Sequence, residues 1–278
     1  MQVKRVLGIR LDLVGREEAL DLIGKWLIAK APRLKMVATA YSEFFVTARS
    51  DGDFRMALES SDLVVPDGIG PLAAINFTES LAPSDNVFQK VVKGVKTGGA
   101  ILAGKVGQPV AGYWLFKELV KRAAENGWRI FLLGGFGDAA SLVAEKLSPA
   151  GKIAFDQGAQ IAEEMVGEVN ESVVEKINKF RPDLLFVAYG PVKQEKWLAA
   201  NKGRLKAKVA IGVGGTFDEF LGKVKAAPEV FSRLGLKWLW RLAVQPKRIG
   251  RIWQAVVVFP WLVFKESRGR QEVGPLDG

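Results

Sequence analysis

Short apolar runs alternate with segments of helical periodicity along most of the chain. In the helical segments apolar residues recur every three or four positions, as at Leu20, Ile23 and Leu27. Alternating strands and helices are typical of βαβ units, so the pattern predicts an α/β fold: a largely parallel, Rossmann-like sheet with helices on both faces. The predicted strands are Val3–Ile9, Lys35–Thr39, Leu63–Val65, Arg129–Leu133, Lys152–Phe155, Leu184–Tyr189 and Val209–Gly212.

The pattern is interrupted in two places. Between Asn76 and Gly112 the chain is rich in Gly, Lys, Ser and Pro, which predicts a mobile loop or lid over residues 77–111. After about Gly222 the strands stop and the chain becomes helical, basic and aromatic, and Pro246 is expected to divide this tail into two helices. We therefore predict a core over residues 1–222 and a helical appendage over residues 223–278.

Composition removes several chemistries. The chain has no cysteine and no histidine, which excludes disulfides, thiolate zinc sites, cysteine nucleophiles and every mechanism that needs imidazole. Proton transfer therefore falls to Asp, Glu, Lys or Tyr. Hydrophobic residues make up 49% and charged residues 25%, which is typical of a folded chain and not of a disordered one.

The charge is unevenly placed. Of the net charge of +10, the segment from Lys202 to Arg251 carries +9, with twelve basic residues against three acidic ones. This asymmetry predicts an anionic partner, which could be phospholipid, nucleic acid or a phosphorylated substrate. The longest apolar run, Ala255–Phe264, is ten residues, whereas a spanning helix needs about 20. Since Met1–Val14 also lacks a signal-peptide pattern, we expect a cytoplasmic protein.

Polar residues and glycines follow the predicted strands at five places. Because ligands of open parallel sheets bind beyond the carboxyl ends of the strands, these residues are the first candidates for a site. They are Thr39, Asp67 with Gly68, the glycine segment 134–137, Asp156, and residues 190–195.

The glycine segment lies between a strand and a helix, where bare amides can bind phosphate. Gly134 precedes a formal match to G-x-G-x-x-A formed by Gly135, Gly137 and Ala140. Asp156 lies nineteen residues after Gly137, where it could accept hydrogen bonds from ribose hydroxyls. The alternative is a tight turn that needs glycine only for its backbone angles and packing.

Asp67 follows an apolar strand and precedes Gly68, a turn that would present its carboxylate to a cleft. It could be a general base, or it could cap a helix that begins near Ile69. Asp51 and Asp53 form a DxD pair, a spacing that some sugar-transfer enzymes use for a metal, but we expect them to cap the helix from Phe54.

A further polar group opens the helix that follows Gly190. Lys193, Gln194 and Glu195 place an amide and two charges beside the same sheet edge. They could contact substrate, or they could be solvated residues of a first helical turn.

The tail combines arginines with tryptophans. Arg248 and Arg251 are i,i+3 neighbours, with Arg241 a short distance before them, and guanidinium groups suit a diphosphate. Together with the tryptophans, the basic tail from about Arg233 to Lys265 is predicted to dock on an anionic membrane surface, with packing on the core as the alternative. Half of the eight tryptophans lie here: Trp238, Trp240, Trp253 and Trp261.

Six motifs in order resemble the WecG/TagA/CpsF glycosyltransferases (glycosyltransferase family 26), over nearly the whole chain. These are Val-Pro-Asp-Gly-Ile-Gly (65–70), Leu-Leu-Gly-Gly (132–135), Arg-Pro-Asp (181–183), Lys-Gln-Glu-Lys-Trp (193–197), Val-Gly-Gly-Thr-Phe-Asp (213–218) and Gly-Leu-Lys-Trp-Leu-Trp-Arg (235–241).

The resemblance implies an inverting, metal-independent transfer of N-acetylmannosamine or a related sugar from a UDP-sugar. The implied acceptor is a polyprenyl-diphosphate-linked sugar at the inner face of the cell membrane, in cell-surface polysaccharide or teichoic acid synthesis. No cofactor, metal or nucleic acid is implied, and a homo-oligomer is compatible.

The resemblance also implies roles for individual residues. Asp67 matches the family's proposed base, and Thr39 matches its cleft threonine. Gln194 matches the glutamine of the family's Lys-Gln-Glu motif, and Asp218 ends the Val-Gly-Gly-Thr-Phe-Asp motif. The family's appendage arginines match Arg241, Arg248 and Arg251.

The sequence departs from the family pattern at two places that bear on sugar recognition. Tyr41 stands where many relatives have asparagine, and Pro109–Trp114 stands where they have Arg-Val-x-Gly-x-Asp. Two other classes of function stay open: an NAD-dependent oxidoreductase built on the glycine segment, and a non-catalytic binding protein, either a degenerate transferase relative or a nucleic-acid binder.

Overall fold

The structure of the protein is a computed structural model. It describes residues 1–30, 33–158, 168–224, 231 and 237–269. The chain begins with an antiparallel hairpin of β1 (Gln2–Val6) and β2 (Ile9–Leu13). The predicted single strand Val3–Ile9 is therefore wrong, because Leu7 and Gly8 turn the chain with φ of +50° and +76°. Asp12 joins the hairpin to the main sheet, since its buried carboxylate accepts a hydrogen bond from the backbone N–H of Val64 at 2.8 Å.

The main sheet is parallel throughout and has six strands in the order β4-β3-β8-β7-β5-β6. The strands are β3 (Lys35–Ala40), β4 (Leu63–Pro66), β5 (Ile130–Gly134), β6 (Ile153–Asp156), β7 (Leu184–Ala188) and β8 (Val209–Gly212). Five of these strands are apolar and almost fully buried, as expected for a sheet covered on both faces. The predicted α/β fold is confirmed, and six of the seven predicted strands lie in this sheet.

The helices cover both faces of the sheet and form the tail. They are α1 (Arg16–Ile28), α2 (Ser42–Thr47), α3 (Gly52–Glu59), α4 (Ile69–Ser80), α5 (Val87–Leu102), α6 (Gly112–Asn126), α7 (Ala139–Leu147), α8 (Glu168–Phe180), α9 (Lys193–Asn201), α10 (Thr216–Phe220), α11 (Lys237–Val244), α12 (Ile249–Trp253) and α13 (Phe259–Gly269).

The predicted loop over residues 77–111 is wrong in its secondary structure, because most of it is helical. Helix α4 extends into it, and α5 fills its centre. A capping box starts α5: the Asn86 side chain accepts from the N–H of Gln89 at 2.9 Å, and the Gln89 side chain accepts from the N–H of Asn86 at 2.8 Å. A lid movement of this segment stays a prediction.

The tail breaks where Pro246 stands. Helix α11 ends at Val244, and a 3₁₀ turn, Pro246–Arg248, leads into α12. A π-helical turn, Gln254–Val258, connects α12 with α13 just before Pro260, whose ring does not fit a regular helix interior. In the part of the chain that is described, no helix is both long and apolar enough to cross a membrane.

The tail packs on the core with one face. Phe259 and Val263 are buried in a cluster with Phe44 and Phe45, and the rings of Phe45 and Phe259 lie 5.8 Å apart. Trp253 and Trp261 are not part of this packing, since 60% and 57% of their surfaces are exposed. Packing on the core therefore accounts for the phenylalanines of the tail but not for these two tryptophans.

Candidate active site

The carboxyl ends of the six parallel strands meet along one edge of the sheet. The residues predicted from sequence follow these ends, so the order of the strands fixes which of them are neighbours. Along the edge the order is Asp67, Thr39, Gly212, Gly190, Gly134 and Asp156. The structure therefore separates Asp67 and Thr39, at one end, from Gly134 and Asp156, at the other.

Asp67 and Thr39 converge on the start of α6. The Asp67 carboxylate accepts a hydrogen bond from the backbone N–H of Gly112 at 3.1 Å, and the buried Thr39 hydroxyl donates to the carbonyl of Gly212 at 3.2 Å. A Cβ at Gly112 would lie 3.2 Å from Thr39 Oγ1 and 3.4 Å from Asp67 Oδ2. A carboxylate, a hydroxyl and a helix N-terminus therefore share one small space.

The turn after β4 explains why Asp67 faces this space. Gly68 has φ of +108°, which side chains rarely adopt, and it occupies the N-cap position of α4. The N-cap position of that helix is therefore filled by Gly68 and not by Asp67. In contrast, Asp51 is the cap that was predicted, since it accepts from the N–H of Phe54 at 3.0 Å.

Sequence reasoning missed Gly112 as a residue of the site. Its signal was present, because Val110 and Gly112 are the two positions of the run 109–114 that keep the pattern of the relatives. Val110 is fully buried, and its N–H donates to the carbonyl of Pro66 at 2.9 Å. This bond holds the start of α6 against the end of β4.

Gln194 connects the loops that follow β7 and β8. It is buried, and its side-chain oxygen accepts from the N–H of Gly214 at 2.9 Å. A Cβ at Gly212 would lie 2.6 Å from Gln194 Nε2, so this approach needs glycine. Of its predicted neighbours, Lys193 is exposed, and Gly190 has φ of +83° in the turn before α9. The structure thus shows Gln194 supporting the loop after β8.

Glu195 is a second buried residue that sequence reasoning did not single out for a structural role. Its carboxylate accepts from the N–H of Val192 at 2.8 Å and from Gln194 Nε2 at 2.7 Å. Val192 has φ of +72°, an uncommon conformation for a β-branched residue. Burial raises the pKa of Glu195 from its ordinary value of 4.5 to about 7, and hydrogen bonds from Gln194 and from the backbone of Glu195 and Val192 oppose that rise only in part.

Glu195 makes stability depend on pH in a defined direction. The folded protein holds this proton more tightly than the unfolded chain, so the free energy of unfolding falls as pH rises from about 4.5 to about 7. We expect Glu195→Gln to remove that part of the decline, seen in melting temperatures between about pH 4.5 and about pH 8. The exposed Glu175→Gln should keep the wild-type slope, and equal slopes in Glu195→Gln and wild type would contradict the assignment.

The glycine segment at the other end of the edge is explained largely by packing. Gly134 has φ of +84°, and a Cβ on it would lie 2.7 Å from the Tyr189 ring. Gly135 has φ of +92°, and a Cβ on it would lie 2.9 Å from the Cβ of Ala139. Gly137 has no such neighbour. Its φ of +60° also favours glycine, so the tight-turn interpretation fits all three glycines, and a contact of this turn with a nucleotide stays a prediction.

Asp156 is already engaged. Its carboxylate forms an ion pair with Lys176 at 2.5 Å and accepts from the N–H of Gly158 at 2.7 Å. A ribose at this position would have to share the carboxylate with these two donors.

Two of the three tail arginines lie over the carboxyl edge. Arg248 lies beside the loop after β8, with Nη2 3.8 Å from the Cβ position of Gly215. Burial raises the pKa of Asp218 in α10, which follows that loop, and the charges of Lys223 and Arg248 oppose the rise. The side chain of Arg241 lies outside the described part of the structure. The role of these arginines at a diphosphate stays a prediction.

Arg251 is held by partners that the sequence did not indicate. Its Nε donates to the Glu43 carboxylate at 2.8 Å, and its Nη2 donates to the Tyr41 hydroxyl. Burial raises the pKa of Tyr41, Arg251 opposes this rise, and the charges of Glu43, Glu195 and Asp67 add to it. Tyr41, which replaces the asparagine of many relatives, therefore joins the tail to the site.

A parallel sheet with a carboxylate, a hydroxyl and guanidinium groups at its carboxyl edge is typical of enzymes that act on phosphorylated or nucleotide-linked substrates. The sequence model of the family described as "Glycosyl transferase WecG/TagA/CpsF family" matches residues 4–89 and 85–273. The chain belongs to this family and is a glycosyltransferase. The prediction of a transferase is confirmed, and the oxidoreductase alternative is wrong.

Two curated relatives support the assignment. A protein of Bacillus subtilis (strain 168) is 30% identical over 243 residues, which is 86% of this chain and 83% of the relative. A protein of Staphylococcus aureus (strain MRSA252) is 33% identical over 179 residues, which is 62% of this chain and 68% of the relative. Both are named N-acetylglucosaminyldiphosphoundecaprenol N-acetyl-beta-D-mannosaminyltransferase.

Proposed function

We propose that this enzyme transfers N-acetylmannosamine or a related sugar from a UDP-sugar to a polyprenyl-diphosphate-linked N-acetylglucosamine, with inversion and without a metal ion. The observation that carries this proposal is the convergence of Asp67, Thr39 and the N-terminus of α6 at the carboxyl edge. The names of the two relatives support the transferred sugar and the acceptor.

Asp67 is the general base of the proposed reaction. It takes the proton of the acceptor hydroxyl as that oxygen bonds to the anomeric carbon of the donor, and the bond from this carbon to the UDP oxygen breaks on the opposite face. The configuration of the sugar is therefore inverted. The N–H of Gly112 holds one carboxylate oxygen in place, which orients the carboxylate for the proton transfer.

The departing diphosphate carries growing negative charge. Arg248 and Arg251 lie over the same edge, and with Arg241 they would supply bidentate donors to that diphosphate. In this proposal the guanidinium groups replace a divalent metal.

The tail also places the enzyme at the membrane in this proposal. Ile249, Trp253, Val257 and Trp261 are exposed at every fourth position, which forms one apolar stripe along the tail. Tryptophan favours the membrane interface, and the net positive charge of the segment from Lys202 to Arg251 favours anionic lipid. We propose peripheral binding at the inner face of the cell membrane through this stripe, where a lipid-linked acceptor would lie.

The test is a transfer assay with purified full-length chain, a panel of UDP-sugars and a short polyprenyl-diphosphate N-acetylglucosamine acceptor. We expect a disaccharide product of inverted configuration, formed equally well with EDTA present. Absence of transfer from every UDP-sugar, or loss of transfer on chelation that magnesium restores, would overturn the corresponding part of the proposal.

A further inference from the structure

Helix α5 carries an unusual outward face. Six apolar residues are exposed on it, which we call the α5 ridge: Val87, Phe88, Val91, Val92, Val95 and Leu102. At about 100° per residue, these positions fall within an arc of about 140° on one side of the helix. Phe88 and Val95 are 74% and 71% exposed, so the ridge is not covered by the described parts of the chain.

The opposite face of α5 is polar and points inward. Lys90 is buried, and its ammonium group donates to the carbonyl of Ser267 at 2.8 Å. Thr97 is buried as well, and its hydroxyl lies 3.4 Å from the side-chain oxygen of Asn76. A helix on a water-soluble surface normally has the reverse arrangement, with its apolar residues inward. These inward polar contacts fix the rotation of α5 and leave the ridge outside.

The exposed charge of α5 is positive. Its sequence contains three lysines, Lys90, Lys93 and Lys96, and no Asp or Glu. Lys96 is exposed, whereas Lys93 forms an ion pair with Asp85. An apolar face bordered by lysine is the composition of helices that lie in the membrane interface. At 16 residues, about 24 Å, the helix would lie along the surface.

Helix α5 packs on the same elements as the tail, through its inward face. The ring of Trp261 lies 6.4 Å from that of Phe264, which in turn lies 6.3 Å from the ring of Phe77 on α4. A Cβ at Gly94 of α5 would lie 3.8 Å from Phe77. The Phe77 and Phe264 pair thus lies between α5 and α13, and the bond from Lys90 to Ser267 joins α5 to the end of α13.

We propose that the α5 ridge inserts into the interfacial region of an anionic phospholipid bilayer, as a second contact beside the tail stripe. This inference rests on the proposed function, because a lipid-linked acceptor requires the enzyme to work at a bilayer. Two contacts orient an enzyme on a surface better than one, so α5 would set the tilt of the carboxyl edge towards the acceptor.

The absence of cysteine from the chain allows a direct test. Val95→Cys and Ile28→Cys are each labelled with an environment-sensitive nitrobenzoxadiazole dye in the full chain. Ile28 is a matched control, since it is 71% exposed and lies at the amino edge of the sheet, on the side away from the site. With vesicles of phosphatidylglycerol and phosphatidylcholine, we expect a blue shift and protection from quenching at residue 95 but not at residue 28.

A second measurement uses the double variant Phe88→Ser/Val95→Ser, with Ile28→Ser as control. Removing two exposed apolar side chains should weaken vesicle binding about tenfold, because each buries part of its surface in the bilayer. Melting temperature and transfer to a short, water-soluble acceptor should stay at the wild-type level. Unchanged vesicle binding together with an unshifted dye at residue 95 would overturn the proposal.

Two further outcomes are distinguishable. If the double variant instead converts a wild-type dimer into a monomer in light scattering and binds vesicles normally, the ridge is covered by a second copy and the inference is wrong. If wild type binds vesicles through residue 95 but transfers no sugar to any acceptor, the proposed function fails while the membrane contact stands.

Discussion

Replacing Asp67 with asparagine is expected to lower kcat by about 10³-fold, the scale of a positioned general base. Asparagine keeps the shape of the side chain and the oxygen that accepts from the N–H of Gly112, but it cannot take a proton from the acceptor hydroxyl. KM for the donor should change little, because the substitution leaves the arginines and loops in place. Initial rates at saturating donor and acceptor measure the effect.

The matched control is Asp53→Asn, an exposed position in the first turn of α3 that removes the same charge. Its kcat should equal that of wild type, which also tests the DxD spacing as a metal site. Both variants should melt within about 2 °C of wild type, in line with substitutions that leave packing unchanged. If Asp67→Asn keeps more than about a tenth of wild-type kcat, the base lies elsewhere.

The sheet could be predicted because its strands are buried on both faces and read as short continuous apolar runs. Leu184–Ala188 and Ile130–Gly134, for example, are apolar at nearly every position. The hairpin was missed because Leu7 has a positive φ, a conformation that leucine rarely adopts and that the sequence therefore does not indicate. Its alternation continues through the turn and resembles one strand.

Helix α5 was missed because its apolar residues face outward and its polar residues face inward, the reverse of a helix that packs on a core. Lysines and glycines occur where a helix packing on a core has apolar residues, and the valines face outward. The residues that start the helix, Asn86 and Gln89, do form a sequence-readable capping box. The Gly, Lys, Ser and Pro content of the segment thus led to the prediction of a loop, although the capping box correctly indicated a helix.

The acid of the candidate site could be predicted from its place after a strand, but its surroundings could not. Asp67 and Gly112 are 45 residues apart, and Thr39 and Gly212 are 173 residues apart. The same limit applies to Arg251, whose partner Glu43 lies 208 residues earlier. Local patterns contain no information on contacts of this kind, because they depend on how the strands are ordered in the sheet.

Phe259→Ala is expected to have the largest effect on stability in the tail. Phe259 is almost fully buried against Phe45, and truncating a buried phenylalanine costs about 3–5 kcal/mol. Because this residue anchors the tail to the core, we expect the tail to detach before the sheet unfolds. Arg248 and Arg251 would then leave the carboxyl edge, and transfer would fall although both arginines are still present.

Limited proteolysis, melting temperature and kcat/KM together measure this effect. The tail of Phe259→Ala should be cleaved early to leave a stable core. The value of kcat/KM should fall strongly, whereas the melting temperature of the core should change little. Trp253→Ala is the control, since this ring is exposed and its loss should weaken vesicle binding while proteolysis stays at the wild-type rate. Wild-type kcat/KM in a variant whose tail is cleaved would show that the arginines act nowhere in catalysis, and the tail would then serve membrane binding alone.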